Sequence, residues 1–578
     1  MSARSSASVL IACLGLLLCT RGVCADEVQA TASVSATQTG AVEIKARGLH
    51  AVDWVLIAVY GASTIGLGWF ASRRQRSTRE YFVGSGKMNP LLIGVSLFAT
   101  LLSTISYLSV PGEALGKGPV FMCRLLALPL AYVVVAYALL PVFMRHRVTS
   151  AYELLETKLG LGVRLLGAAM FIALRLVWMS LLIYLAAKAM TVMLSVDDKW
   201  IPLIVLMTGF VAVIYTSLGG LRAVVITDFV QTMLLFGGAL LVLAMVTYQF
   251  GGFGWFPTHW QDNWDAQPII SLDPKTRVTV VGAILSSFIW SVCTAGGDQT
   301  TVQRFMATRD VRAARRAYAT QLTTATIVVL VLTLVGFALL GYFRAHADAL
   351  PAGMSIGENA DKLFPRFIAF HLPVGVCGLV VSAMFAAAMS SIDSGVNSIT
   401  AVVMTDFLDR FGIRPKTERG HVWAARILAF AVGGIVVVGS SFMEHIPGNI
   451  MAVTRKTSEL LTTPIFALFF FALFVPFAKT AGVLVGAICG IATAVLISFS
   501  GPLVTLLATQ FGVDPAIFGV ELVRTLDPET GVARVTAQDP ISFQWIGPIA
   551  LSVNLITGTL VSLLIRSRKQ PSREKINP

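Results

Sequence analysis

Runs of about twenty apolar side chains recur along this chain, and they limit its fold more than any other feature. Apolar runs of this length are read as membrane-spanning helices. We read about thirteen spans: 52–71, 90–110, 122–144, 160–193, 201–218, 223–248, 278–300, 319–343, 372–404, 422–441, 450–477, 481–500 and 543–566. The composition agrees, with 56% hydrophobic and only 13% charged residues, about half the charge of a soluble domain. The expected class is an all-α polytopic membrane protein.

The net charge of +13 follows from topology. With the mature N-terminus outside, the basic stretches Arg73-Arg74-Gln75-Arg76, Arg145-His146-Arg147, Arg304 to Arg316, Arg410 to Arg426 and Arg566 to Lys575 all fall on the cytoplasmic side. The C-terminus is then cytoplasmic and the location a plasma (inner) membrane. None of these stretches interleaves aromatic residues for base stacking, so no nucleic-acid partner is expected. The lipid bilayer and a small-molecule solute are the expected partners, with the protein acting as a monomer.

Met1 to Ala25 has the layout of a signal peptide: Arg4 at the start, Val9 to Cys19 as an apolar core, and the small-residue exit Val23-Cys24-Ala25. Residues 26–50 form an extracytoplasmic segment expected to be disordered, 51–566 the transporter domain and 567–578 a cytoplasmic tail. Of seven cysteines, Cys13, Cys19 and Cys24 lie in the leader. Cys123, Cys293, Cys377 and Cys489 lie in or beside apolar runs and show no metal-ligand spacing. The loop Gly251 to Arg277 holds Trp255, Trp260 and Trp264, which cap the outer face or sit at the interface; Phe511 to Ser542 is a polar loop.

Three stretches carry polar groups at membrane depth, where they are costly and face a bundle interior or a watery path. In Leu379 to Asp406, Ser390, Ser391, Asp393, Ser394, Asn397 and Ser398 share one helical face, and Ala387, Ser390 and Ser391 stand at i, i+3, i+4. Such serines also bond back to the preceding turn or join neighbouring helices. A cluster that includes a carboxylate favours a site, and oxygen ligands suit a hard cation such as Na⁺. Gly94 to Gly112 crowds Ser96, Thr100, Ser103, Thr104, Ser106 and Ser109; an unwound middle would free carbonyls for a cation, although no Gly or Pro lies between Val95 and Val110. Gly282 to Arg304 contains Gly296-Gly297, which can break the helix, with Asp298 and Gln299 lining the gap. Between two spans, Tyr215 to Ala223 carries the pair Gly219-Gly220, followed by Asp228, either a surface carboxylate or the partner of an inward-moving cation.

The segments YTSLGGLRAVVITDFVQ, AAAMSSIDS and SLFATLLSTIS resemble the sodium:solute symporter family, and the similarity runs over most of residues 50–500. The resemblance implies an inverted five-plus-five helix repeat of the LeuT-like kind, with 90–248 and 278–477 as the two repeats. It implies Na⁺ as the coupling ion, held by the carbonyls of Ala99, Leu102 and Ala387 and the hydroxyls of Ser390 and Ser391. Asp228 matches an acid important in the family; Asp393 and Ser394 match a second cation position in some members. Asp393 stands where a small or hydroxylic residue is usual, which leaves a cation, a proton or a neighbouring helix as its partner. Solute contacts implied by position are Ser103, Ser106, Asp298 and Gln299. Arg175, within the apolar run Leu165 to Leu194, either recognises an organic acid such as a sialic acid or monocarboxylate, or pairs internally with Asp298 or Asp393. The expected function is sodium-coupled import of a small polar solute, an organic acid or a sugar. The alternatives are a proton-coupled carrier and a transporter-derived sensor. No nucleophile–base pair or metal cluster suggests an enzyme.

Overall fold

The computed structural model describes residues 49–565 apart from 73–76, 85, 147, 195, 266–267, 351–354, 358, 414, 444–449 and 527–532. The expected leader, nearly all of the 26–50 segment and the tail 567–578 lie outside the described residues. The elements that build the centre are α1 (Ala51–Ser72), α2 (Pro90–Leu101), α3 (Thr104–Lys117), α4 (Leu161–Leu194), α5 (Ile201–Gln249), α6 (Val280–Gly297), α7 (Gln299–Met306), α8 (Val311–Ala345), α9 (Val376–Val402) and α10 (Ile450–Phe474).

Among the described residues, eleven helices are long and apolar enough to cross a membrane, and the α2–α3 pair, bent by 70°, makes a twelfth span. A thirteenth comes from α5, which is two helices. Gly220 interrupts it at φ 55°, ψ −167°, a conformation open to glycine. The Gln231 Nε2 lies 3.5 Å from the Tyr215 hydroxyl, whereas sixteen residues of straight helix would separate them by about 24 Å. The chain therefore reverses at the glycine pair, as the sequence implies.

Burial separates centre from rim. The span containing α9 is 83% buried and α1 only 17%, so α9 is the inner post and α1 faces outward. Its serines and Asp393 are hidden by packing against α2, α4 and α5.

Both halves of each interrupted helix start for local reasons. Asn89 caps α2 through Leu91 N, with Pro90 in the first turn. Thr279 caps α6 through Gly282 N. The breaks share one backbone geometry: Leu102 has φ −92°, ψ 114° and Asp298 has φ −90°, ψ 118°. Gly296 and Gly297 lie inside α6, and the interruption falls on the next residue. A Cβ on Gly297 would stand 3.0 Å from the Phe466 backbone nitrogen. That glycine serves close packing against α10.

Trp255 and Trp264 are buried. The Trp264 indole N–H donates to the Leu115 carbonyl at 3.1 Å, so this loop caps the end of α3. The 511–542 stretch is more ordered than a plain polar loop. It contains an antiparallel hairpin in which Leu522–Leu526 pairs with Ala533–Ala537. Five-residue strands alternate too briefly to stand out in the sequence.

Candidate functional site

The site forms where α9 straddles the first break. On one side the Ser390 hydroxyl donates to the Ala99 carbonyl at 2.9 Å and lies 3.4 Å from the Ala387 carbonyl. On the other the Thr104 hydroxyl donates to the Met384 carbonyl at 2.9 Å. One helix thus holds both ends of the interruption. The Ser391 hydroxyl is buried without a partner. A buried hydroxyl with nothing to bond is costly, and Ser390 bonds a carbonyl that a cation would otherwise share. This set of neutral oxygens, one of them unsatisfied, fits Na⁺. Leu102, at the break itself, uses its N–H toward the Phe98 carbonyl.

A charged network lies on the Ser96 side of the same helices. Arg304, Asp228 and Asp393 are each fully buried. Arg304 Nη2 contacts Asp228 Oδ2 at 3.2 Å and Ser394 Oγ at 2.5 Å. The Ser96 hydroxyl donates to Asp228 Oδ2 at 2.5 Å and accepts from Arg304 Nε at 2.8 Å. The Ser394 hydroxyl shares a hydrogen bond with Thr100 at 2.9 Å and donates to Asp393 Oδ1 at 3.1 Å. The Tyr215 hydroxyl donates to Asp393 Oδ2 at 2.6 Å. Asp228 Oδ1 has no partner. Among the described residues, two acidic side chains thus share one guanidinium, so one of them stays without a charge partner of its own. Losing one partner of such a pair typically costs about 3–5 kcal/mol.

The second break is filled by the protein itself. Arg175 bonds Asp298, and its Nη2 donates to Thr300 Oγ1 at 2.8 Å. Asp298 also caps α7 through Thr300 N at 2.8 Å. Gln299 accepts from Ala151 N at 2.7 Å and donates to the Thr149 carbonyl at 2.8 Å. It is thereby fixed to the loop before the short helix Glu153–Leu159. Ser103 caps α3, accepting from Ser106 N at 3.4 Å. Of the five positions expected to meet solute, Ser106 alone lines the central cavity, together with Trp178, Trp290, Ser291, Thr301 and Gln321. The sequence does not single out these last five, and it groups Arg304 with the cytoplasmic bases. A base two residues before the next polar turn carries no local sign of burial.

Outside the spans, Glu156 sits beside Arg410 and Arg164, at 2.8 Å and 2.6 Å. These two guanidinium groups hold its carboxyl below the usual range, Arg410 contributing most. Arg164 continues to Asp406 at 2.7 Å, and Asp406 bonds Ser150.

The model of the sodium:solute symporter family matches residues 81–490. The chain belongs to that family. This symporter is 27% identical over 485 residues to the sodium/sialic acid symporter SiaT of Proteus mirabilis (strain HI4320), covering 81% of this chain and 91% of that protein. It is 25% identical over 548 residues to the human sodium-coupled monocarboxylate transporter 1, covering 90% and 88%. The solved structure of a Na⁺-coupled sialic acid symporter in a substrate-bound outward-open state superimposes with a TM-score of 0.70 at 24% identity, covering 89% of this chain and 98% of that one. The symporter therefore has the LeuT-like fold, couples solute movement to Na⁺ across a membrane that it crosses many times, and is not an enzyme.

Proposed function

We propose that this symporter imports a small organic acid across the plasma membrane, with its N-terminus outside and its C-terminus cytoplasmic, and works as a monomer. Residues 90–248 and 278–477 form the two repeats, each opening with an interrupted helix. Na⁺ binds between the carbonyls of Ala99, Leu102 and Ala387 and the hydroxyls of Ser390 and Ser391. The observation that carries this reading is the pair of ties from α9 across the first break, with the Ser391 hydroxyl next to Ser390 left unsatisfied.

Na⁺ at this point draws α2, α3 and α9 together and so favours one arrangement of the broken helix. A ligand shifts a conformational equilibrium only through its different affinity for the two states. Filling both the ion and solute sites then releases the inward-facing state. Each charge crossing 100 mV releases about 2.3 kcal/mol, enough for roughly fortyfold accumulation.

The presence of two acids, Asp228 and Asp393, beside the single guanidinium of Arg304 favours a second cargo cation there. Ser394 bonds Asp393 and accepts from the Arg304 guanidinium that also contacts Asp228, and either Na⁺ or a proton on Asp393 neutralises the cluster. The resemblance to sialic acid and monocarboxylate carriers supports an organic acid as the solute.

The reading is tested in proteoliposomes. Ser390→Ala combined with Ser391→Ala should raise the Na⁺ concentration for half-maximal uptake of labelled N-acetylneuraminate or lactate. Unchanged Na⁺ dependence would remove the site. A pH gradient that drives uptake without Na⁺ would replace the coupling ion.

A further inference from the structure

The central cavity lies between the interrupted helices, beside α8 and α10. Among the described residues, its lining contains one formally charged side chain, Arg124, and no acid. Arg124 stands on the 3₁₀ stretch Val120–Ala127 with its guanidinium 4.6 Å over the Phe121 ring. That stretch follows Gly118, which packs on Trp264.

Several neutral groups in the rest of the lining are not satisfied. The Ser109, Thr301 and Tyr318 hydroxyls and the Gln321 Oε1 are buried without partners, on residues exposed by 1%, 2%, 1% and 7%. Thr454 Oγ1 is a fifth such atom. Native proteins leave few buried polar atoms unpaired, and five bordering one cavity call for a molecule that bonds them. The Gln321 carbonyl oxygen needs a donor, so that molecule carries a hydroxyl or an N–H.

Arg175, the buried arginine expected to meet solute, bonds Asp298 and Thr300 and does not line this cavity. Resting on the proposed uptake of an organic acid, the geometry points to Arg124 as the residue that recognises the solute's carboxylate. Hydroxyl or amide groups of the same solute satisfy Ser109, Thr301 and Gln321. Arginine suits the task because its planar fork matches a carboxylate.

The test uses purified full-length protein in saturating Na⁺ and follows thermal shift with three acids: lactate, nicotinate and N-acetylneuraminate. Each is set beside a neutral counterpart: lactamide, nicotinamide and the methyl ester of N-acetylneuraminate. At least one acid should stabilise the wild type more than its neutral partner. Arg124→Gln should weaken that acid roughly ten- to hundredfold and leave the neutral partner unchanged. Arg124→Lys should give a smaller loss, and it decides the question if the glutamine variant does not fold. The proposal is overturned if R124Q keeps the wild-type affinity for the acid, or if the neutral partners bind as well as the acids. Should no acid bind while Na⁺ alone still stabilises the protein, the carboxylate site is wrong and the sodium site stands. If Na⁺ gives no shift either, the underlying reading fails as well.

Discussion

The two interrupted helices bend through nearly identical backbone angles, at Leu102 and at Asp298, yet the gaps are filled differently. The first is lined by neutral oxygens, and the hydroxyl of Ser391, beside Ser390 on α9, has no partner. The second holds Arg175 against Asp298 and Thr300. Each break gathers polar oxygens, carbonyl and hydroxyl at the first and side-chain at the second, that something positive can satisfy. In the second the cation is covalently part of the chain and cannot leave. In the first, on our proposal, it is Na⁺ and can exchange. An exchangeable cation makes a break a moving part; a resident guanidinium makes it a hinge anchor.

This contrast is most exposed to Arg175→Gln. The substitution leaves Asp298 buried without its charge partner, at a cost of about 3–5 kcal/mol. Thermal unfolding of the purified variant should show a large loss that Asp298→Asn partly restores. If R175Q were as stable as a variant of the first break, the two gaps would not differ as described. Ser390→Ala should be milder, removing one hydrogen bond for about 1 kcal/mol in the absence of Na⁺. Its main effect should be on Na⁺ dependence, with the half-saturating concentration raised about tenfold in uptake assays. Thr104→Val removes the tie on the other side of the first break. We expect a loss of about 1 kcal/mol, with Na⁺ affinity lowered less than in S390A, since that hydroxyl is not a ligand.

The smallest effect concerns the scaffold behind the second break. Gln299 is bound to the 149–151 loop, and Ser150 leads through Asp406 and Arg164 to Glu156. The Glu156 carboxyl is held below its ordinary value by Arg410 and Arg164. Its contribution is therefore present above the ordinary carboxylate range and lost as pH falls through the depressed value. Comparing the wild type with Glu156→Gln, the gap in unfolding temperature should close on acidification and hold steady near neutrality.

The sequence made some of this plain and hid the rest. The spans were legible from apolar runs of bilayer length, and the reversal at Gly220 from the pair Gly219-Gly220 between two of them. The serine face of α9 was legible from spacing alone. The first break was not, because neither Gly nor Pro lies near Leu102. It is held by contacts to Met384 and Ser390, nearly three hundred residues away. At the second break the glycines drew attention to the right place for another reason, their packing against Phe466. Arg175 announced its need for a partner, since a guanidinium does not sit alone in lipid. Which acid answered depended on the fold bringing residues 175 and 298 together. Arg304 gave no sign, because a base near the end of an apolar run ordinarily faces the headgroups.

The central claim is that the neutral oxygens at the first break bind Na⁺. Isothermal titration of the purified protein with NaCl, against KCl at equal ionic strength, measures this without knowledge of the solute. We expect saturable Na⁺ binding in the wild type that is lost or strongly weakened by Ser390→Ala with Ser391→Ala and retained in R124Q. Equal binding of Na⁺ by the wild type and the serine double variant would contradict the account.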